Sequence, residues 1–369
     1  MVSHVVSFED LRREHPLFLD EYSQALRVGG SGGMMGVAGP FIQPAEEEAM
    51  ANIDLEHLPS YAELSEREDA PRGSAWGVFG KDDQLGTVNF LTPERVAAAA
   101  RLVRTGAVFP LDLPLHLPDP PLFNRGRYQH HIRRFEQGMG HDDHLDNFYL
   151  QASSQWDSLA HVGHPRHGLY NGVQPEAVTG EDGSKNGMDR WAQHGIVGRG
   201  VLLDVARHLG AQGDAIDPMS ARAITVAELE ATASAQGVGV GPGDILLIRT
   251  GWTKGYLAAD QSAREQIASD LHAPGIEGSI EMAGWLWDHR IAAVASDCPA
   301  LEPWPWDLSV GALHVRALCF LGMPFGELWD LEALAEDCVS DGVHDFLLTS
   351  APLNLRGGVG SPPNALAIK

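Results

Sequence analysis

The densest run of residues able to do chemistry lies between His141 and His167. It holds His141, Asp142, Asp143, His144, Asp146, Gln151, Gln155, Asp157, His161, His164 and His167, and five of the chain's 17 histidines fall in it. Two parts of this run read differently. His141 to Asp146 is a block of charge, which reads as a solvated polar loop. Gln151 to His161 interleaves its polar residues with Leu150, Ala152, Trp156, Leu159 and Ala160, so its polar groups are expected to point into a partly buried place. A buried carboxylate near a histidine needs a partner, and a metal ion or a catalytic pair supplies one. The residues alone also fit a simpler arrangement, a core His161 hydrogen-bonded to Asp157 four positions earlier.

Such residues need a scaffold, and from Trp76 onward the pattern is that of a mixed α/β domain. Thr92 and Pro93 followed by Glu94 to Val103 and closed by Gly106 read as a helix with N-cap, first-turn proline and terminal glycine. Thr225 and Glu228 have the spacing of a capping box that opens a second helix. Ile280 to Arg290 reads as an amphipathic helix. Val108 to Leu117, Gly200 to Val205, Asp244 to Arg249 and Ile291 to Ala295 read as strands. The glycines from Gly237 to Gly243 lead into a strand rather than a helix, so they form a turn and not a dinucleotide loop. Residues 1–72 stand apart as an N-terminal extension, glycine-rich at Gly29 to Gly33 and acidic at Glu46 to Glu48. Ser31 has the flanking glycines of a nucleophile elbow without its strand and helix.

Composition bounds the partners. A chain of 369 residues, 44% hydrophobic, can bury a large core. Its formal charge of -24 repels phosphate backbones and anionic headgroups, so neither nucleic acid nor membrane is expected as a partner. Cys298, Cys319 and Cys338 form no C-x-x-C pair and suggest neither a disulfide framework nor a thiolate zinc site. With no signal-peptide pattern at the N-terminus, they point to a cytoplasmic protein acting on a small molecule.

The stretch Gln151-Ala-Ser-Ser-Gln155-Trp-Asp157-Ser-Leu-Ala-His161 resembles the signature His-x-Gly-Thr-His-x-Asp-x-Pro-x-His of the metal-dependent cyclase family, which includes bacterial kynurenine formamidase and isatin hydrolase. It keeps the Asp and the last His and places Gln at both earlier His positions. Ser74 to Gly77, Asp82 to Asn89, His194 to Asp204, Gly243 to Trp252 and Ala295 to Asp297 extend the resemblance to a Gln-containing branch, over residues 73–352, leaving 353–369 as a tail.

The resemblance implies a single α/β domain of the swivelling β/β/α type, a mixed sheet forming a barrel-like core flanked by helices, assembled as a homodimer or homotetramer. It implies Asp157, His314 and Glu327 as metal ligands, with Gln151 and Gln155 at the remaining ligand positions and His161 as the acid or base. An amide oxygen is a hard, neutral ligand that suits Mn²⁺ or Mg²⁺ better than Zn²⁺, and the cofactor expected is a divalent metal, Mn or Zn. Three arrangements stay open: one metal on Asp157, His314 and Glu327 with or without His161, a rearranged site recruiting His141 or His164, or no metal. Trp76, Trp156, His164, Trp304 and Trp306 are candidate walls of a substrate pocket. The activity implied is hydrolysis of a small cyclic amide, formamide or lactone by metal-activated water. Its alternatives are a ring-forming or dehydrating cyclase of secondary metabolism and a metal-free small-molecule binding protein.

Overall fold

The short apolar segments of the chain assemble into one large sheet whose central parallel strands are too hydrophobic to leave either face in water, while its flanking strands leave one face partly exposed. The computed structural model describes residue 55, residues 57–135, residue 138 and residues 140–369. The glycine-rich and acidic runs of the N-terminal extension, Ser31 included, lie outside the described residues.

The strands, in chain order, are β1 (Val108–Pro110), β2 (Gln129–Arg134), β3 (His141–Asp146), β4 (Gln155–Asp157), β5 (Ile196–Leu203), β6 (Ala223–Ile224), β7 (Ile245–Ile248), β8 (Gly275–Ile276), β9 (Ala293–Ser296), β10 (Phe325–Glu327), β11 (Asp345–Ser350), β12 (Gly360–Ser361) and β13 (Ala365–Ile368). Nine of them form a sheet in the order β1-β13-β11-β5-β7-β9-β10-β4-β12, curled into a half-barrel. Its centre, β5-β7-β9-β10, is parallel. Every residue of β7 and β9 is buried, as expected of strands covered on both faces. Antiparallel strands close both sides, β11, β13 and β1 on one and β4 and β12 on the other.

Three helices that pack on this sheet or join its parallel strands start where their caps predict. The side chain of Thr92 accepts from the Arg95 N–H to open Pro93–Ala99. Thr225 and Glu228 complete a capping box at the head of Val226–Gln236, which ends at Gly237 in the left-handed region, φ 65°. Ser279 caps Ile280–Asp288, whose Met282, Leu286 and Trp287 are buried.

Four expectations change. The strand expected over Val108 to Leu117 stops at Pro110. The Leu111 N–H still donates to the Ala365 carbonyl, but the Leu111 carbonyl accepts from Asp330 and the Asp112 carboxylate takes the Asn364 and Ala365 N–H groups, which ends the ladder. His141 to Asp146 is exposed as expected, yet it is strand β3, paired with β2 in a two-stranded hairpin. The segment set apart as a tail contributes β12 and β13, the latter between β1 and β11. At the other end, Tyr61–Ser65 of the extension packs on the body, with Leu64 fully buried and the Pro59 carbonyl accepting from Trp287 Nε1 at 2.8 Å.

Candidate functional site

β4 and β10 place the first three site residues. Their antiparallel register sets Gln155 opposite Glu327 and Asp157 opposite Phe325. Side chains alternate along a strand, so Gln155, Asp157 and Glu327 share one face and Trp156 takes the other. His314 arrives on the first turn of a wide π-type helix, His314–Cys319. His161 follows β4 in a turn closed by its N–H donating to the Ser158 carbonyl at 3.0 Å.

These elements converge. Asp157 Oδ2 lies 3.7 Å from His161 Nε2 and 3.8 Å from His314 Nε2, and His314 Nε2 lies 3.3 Å from Glu327 Oε1. Asp157, His314 and Glu327 are almost wholly buried, whereas the His161 side chain is 26% exposed. His161 is therefore the face of the cluster that solvent reaches. It borders a cavity of about 310 Å³ whose wall includes Ala160, His164, Leu169, Pro175 and Val178.

The two glutamines do not stand in the cluster as histidines would. The Gln151 amide donates to Asp157 Oδ1 and lies 3.2 Å from His161 Nδ1. A carboxylate can only accept, so it is the NH₂ end that faces Asp157 and His161. His161 Nδ1 is then an acceptor, and in the neutral ring the proton sits on Nε2, towards the cluster. That tautomer turns an N–H rather than a lone pair towards the cluster, so it suits hydrogen-bond donation there and not metal ligation, which needs the Nε2 lone pair. Gln155 Nε2 likewise donates to Glu327 Oε2, leaving its Oε1 buried with no partner.

Charge is unevenly shared. Burial alone would raise Asp157, but His161, His314 and the Gln151 amide hold it below its ordinary range. Glu327 is pushed up to about 7 by burial and by Asp157 beside it. Burial would lower His314, yet contacts with Asp157, Glu302 and Glu327 raise it well above its ordinary value. Burial lowers His161, opposed by Asp157 and reinforced by His314 and Arg125, so its ring is neutral near pH 7.

The donor set fits a divalent ion. His314 Nε2 lies within 4 Å of both Asp157 Oδ2 and Glu327 Oε1, and Asp157 Oδ2 and Gln155 Oε1 are buried polar atoms without a hydrogen-bond partner. Two carboxylates, an imidazole and an amide oxygen are the nitrogen and oxygen ligands that Zn²⁺ and Mn²⁺ accept. His141 lies on β3, outside this cluster, and His164 joins the cavity wall, packing on His167 and Phe320.

Two residues missed in the sequence complete the site. Glu302 is buried, with Oε1 2.6 Å from His314 Nδ1 and accepting the His314 backbone N–H at 2.8 Å. It fixes the ring so that Nε2 faces Glu327 and Asp157. Its one sequence signal was a lone charge inside the apolar run Cys298 to Trp306. Arg125 donates to the Gln151 carbonyl and lies close enough for Asp157, Glu327 and His161 to feel its charge. Non-glycine residues in the left-handed region adjoin three of these positions: Asn124 before Arg125, Leu301 before Glu302 and Leu328 after Glu327. Such backbone is held only where its surroundings over-determine it.

The aromatic candidates divide. Trp156 is fully buried, donates to Ser350 Oγ at 2.9 Å and packs edge-on against Trp329. It is core, because strand alternation turns it away from Asp157. Trp76 packs on His167 and Phe320 behind the cavity. Trp304 packs on Phe123 and Trp306, and it is Trp306 whose ring lies 5.4 Å from that of His314.

The family model described as "Putative cyclase" matches residues 96–303. A solved structure described as a novel cyclase is 36% identical, with a TM-score of 0.72 over 80% of this chain and 99% of its own. Isatin hydrolase A from Labrenzia aggregata, solved with benzyl benzoate, is 16% identical with a TM-score of 0.51, covering 73% of this chain and 94% of that one, a likeness of fold. No curated protein matches the chain. Matched by the family model over more than half its length and by a solved cyclase over four fifths, this chain belongs to the cyclase family.

Proposed function

We propose that this chain is a metal-dependent hydrolase of a small cyclic amide, formamide or lactone. The observation that carries the reading is the layering of the cluster. Asp157, His314 and Glu327 lie buried behind His161, and His161 opens to the cavity. Asp157, His314 and Glu327 would hold a divalent ion, Mn or Zn, with the Gln155 amide oxygen facing it. When bound, such an ion acidifies a water and polarises a carbonyl.

The chain's own residues do the rest. The tautomer set by Gln151 gives the neutral His161 ring an N–H at Nε2, pointed at the centre, which would hydrogen-bond the substrate oxygen on which charge develops. Taking a proton there as a base would first require the ring proton to move to Nδ1. Glu302 holds the His314 ring, and the Gln151 amide bridges Asp157 and His161. Leu169, Pro175 and Val178 supply an apolar wall for the body of a small substrate.

The test is metal analysis of protein purified without chelator, followed by turnover of a lactone and formamide panel. Bound Mn²⁺ or Zn²⁺, with turnover lost in Asp157→Ala and His161→Ala, is the expected result. A folded, metal-free and active protein would overturn the reading, as would two fully active variants.

A further inference from the structure

We propose that the β2–β3 hairpin carries a second divalent-metal site, formed by His131, His144 and Asp146 and separate from the buried centre. β pairing sets these residues in place. His131 stands directly opposite His144, and Asp146 is two residues further along β3, on the same face. The two imidazole rings are stacked, 4.8 Å apart and 18° from parallel, and His131 Nε2 lies 3.3 Å from Asp146 Oδ2. One ligand atom from each of the three falls within 4.8 Å of the others. Ligands about 2.0–2.2 Å from a tetrahedral ion stand about 3.3 Å apart, so the His131 and Asp146 pair already has that spacing and His144 needs only a side-chain adjustment.

The chemistry selects the ion. Two imidazoles and one carboxylate suit the borderline metals Zn²⁺, Ni²⁺ and Cu²⁺, whereas Mg²⁺ and Ca²⁺ prefer oxygen alone. All three side chains are exposed, so water completes the coordination and the affinity is lower than that of a closed site.

The hairpin also has a use for the ion. Every residue of β2 and all but Leu145 of β3 are exposed, and among the described residues the two strands pair only with each other. An isolated two-stranded hairpin is marginal in water, and a metal joining His131 on one strand to His144 and Asp146 on the other would tie the strands in register. The arm is rooted beside the buried centre, since its ends lead to Arg125 on one side and Gln151 on the other.

The test uses full-length chelator-stripped protein titrated with Zn²⁺ and with Ni²⁺, and hydrogen exchange of the hairpin amides. The variants are His131→Ala/His144→Ala and Asp157→Ala. The expected result is that the hairpin variant binds about one ion per chain fewer than the wild type, and that Zn²⁺ slows exchange over residues 129–134 and 141–146 in the wild type and Asp157→Ala but not in the hairpin variant. Unchanged stoichiometry in the hairpin variant, or hairpin exchange indifferent to Zn²⁺, would overturn the proposal. If the buried centre bound no metal, the wild type would still bind an ion that the hairpin variant lost, so the two readings fail separately.

Discussion

Glu302 holds His314 at two points, accepting its backbone N–H at 2.8 Å and facing its ring Nδ1 at 2.6 Å with the same oxygen. The carboxylate therefore sets both where the helix begins and which ring nitrogen turns to Asp157 and Glu327. Glu302→Gln keeps the size and an acceptor oxygen but removes the charge that makes the ring a stronger ligand. Metal affinity is expected to fall by roughly 10–100-fold, the usual cost of losing such a partner. The metal-free protein should melt lower as well, because the raised His314 loses one of the buried carboxylates that hold its charge. Calorimetric titration with Zn²⁺ or Mn²⁺ beside a melting curve checks this. A lowered melting point with unaltered affinity would show that Glu302 serves the helix alone.

Protons and metal compete for the same atoms in the buried cluster, and this gives two pH slopes of opposite sign. Glu327 is raised to about 7 and His314 well above its ordinary value, so a metal must displace protons held there. Apparent metal affinity should rise with pH and fall below about pH 7, by about tenfold per unit for each proton displaced. In the metal-free protein the same groups bind protons more tightly folded than unfolded. Their contribution to stability is fully present below their unfolded pKa values and is lost as pH rises through the folded ones. The part of the metal-free chain's stability that Glu327 and His314 carry should therefore decline through pH 7 while metal affinity climbs. Comparison with Glu327→Gln isolates it from His161, His164 and His344, which burial lowers and which act in the opposite sense. Titrations and urea unfolding at pH 6, 7 and 8 measure both, and parallel slopes would contradict the assigned proton positions.

The division of labour between Asp157 and His161 separates two kinds of loss. His161→Ala should retain the metal and lower turnover by roughly 10²–10³-fold, the usual cost of removing one donor to a developing oxyanion. Asp157→Ala should lose both metal and turnover. Gln151→Leu removes the N–H groups that hold Asp157 and set the His161 tautomer, so it should lower kcat with metal content preserved and KM little moved. A Gln151→Leu protein without metal would show instead that the amide supports the ligand set.

What the sequence could show of this site was what is local in the chain. Asp157 and His161 are four residues apart, and the caps at Thr92 and Thr225 carry their signals within one turn, so both were legible. Glu302 was not, because its role comes from a helix that folding brings back to it. His141 to Asp146 read as a loop because a strand exposed on both faces has no apolar alternation to reveal it. Trp156 was misplaced for a related reason, since adjacency to Asp157 suggested the pocket whereas strand geometry sends it into the core. Trp156→Ala should accordingly cost about 3–5 kcal/mol of stability in urea unfolding, with the metal affinity of the folded fraction retained.

Gly326 tests how tightly core and site are joined. It stands opposite Trp156 on β4 and beside Ala295 on β9. A Cβ there would lie 2.5 Å from Ala295 Cβ and 2.8 Å from Trp329 Nε1, and Trp329 Nε1 donates to the Gln155 carbonyl at 3.1 Å. Gly326→Ala must therefore push Trp329 aside or spread β10 from β9, and either movement displaces Glu327 or Gln155. Overpacking of this kind costs about 1–3 kcal/mol, and a fall in metal affinity should accompany it. Ala295→Gly on the neighbouring strand vacates the closer of the two clashes, so the double variant should recover part of both losses in unfolding and metal titrations. Recovery of stability without recovery of affinity would place the effect on Trp329 and Gln155 rather than on the spacing of the strands.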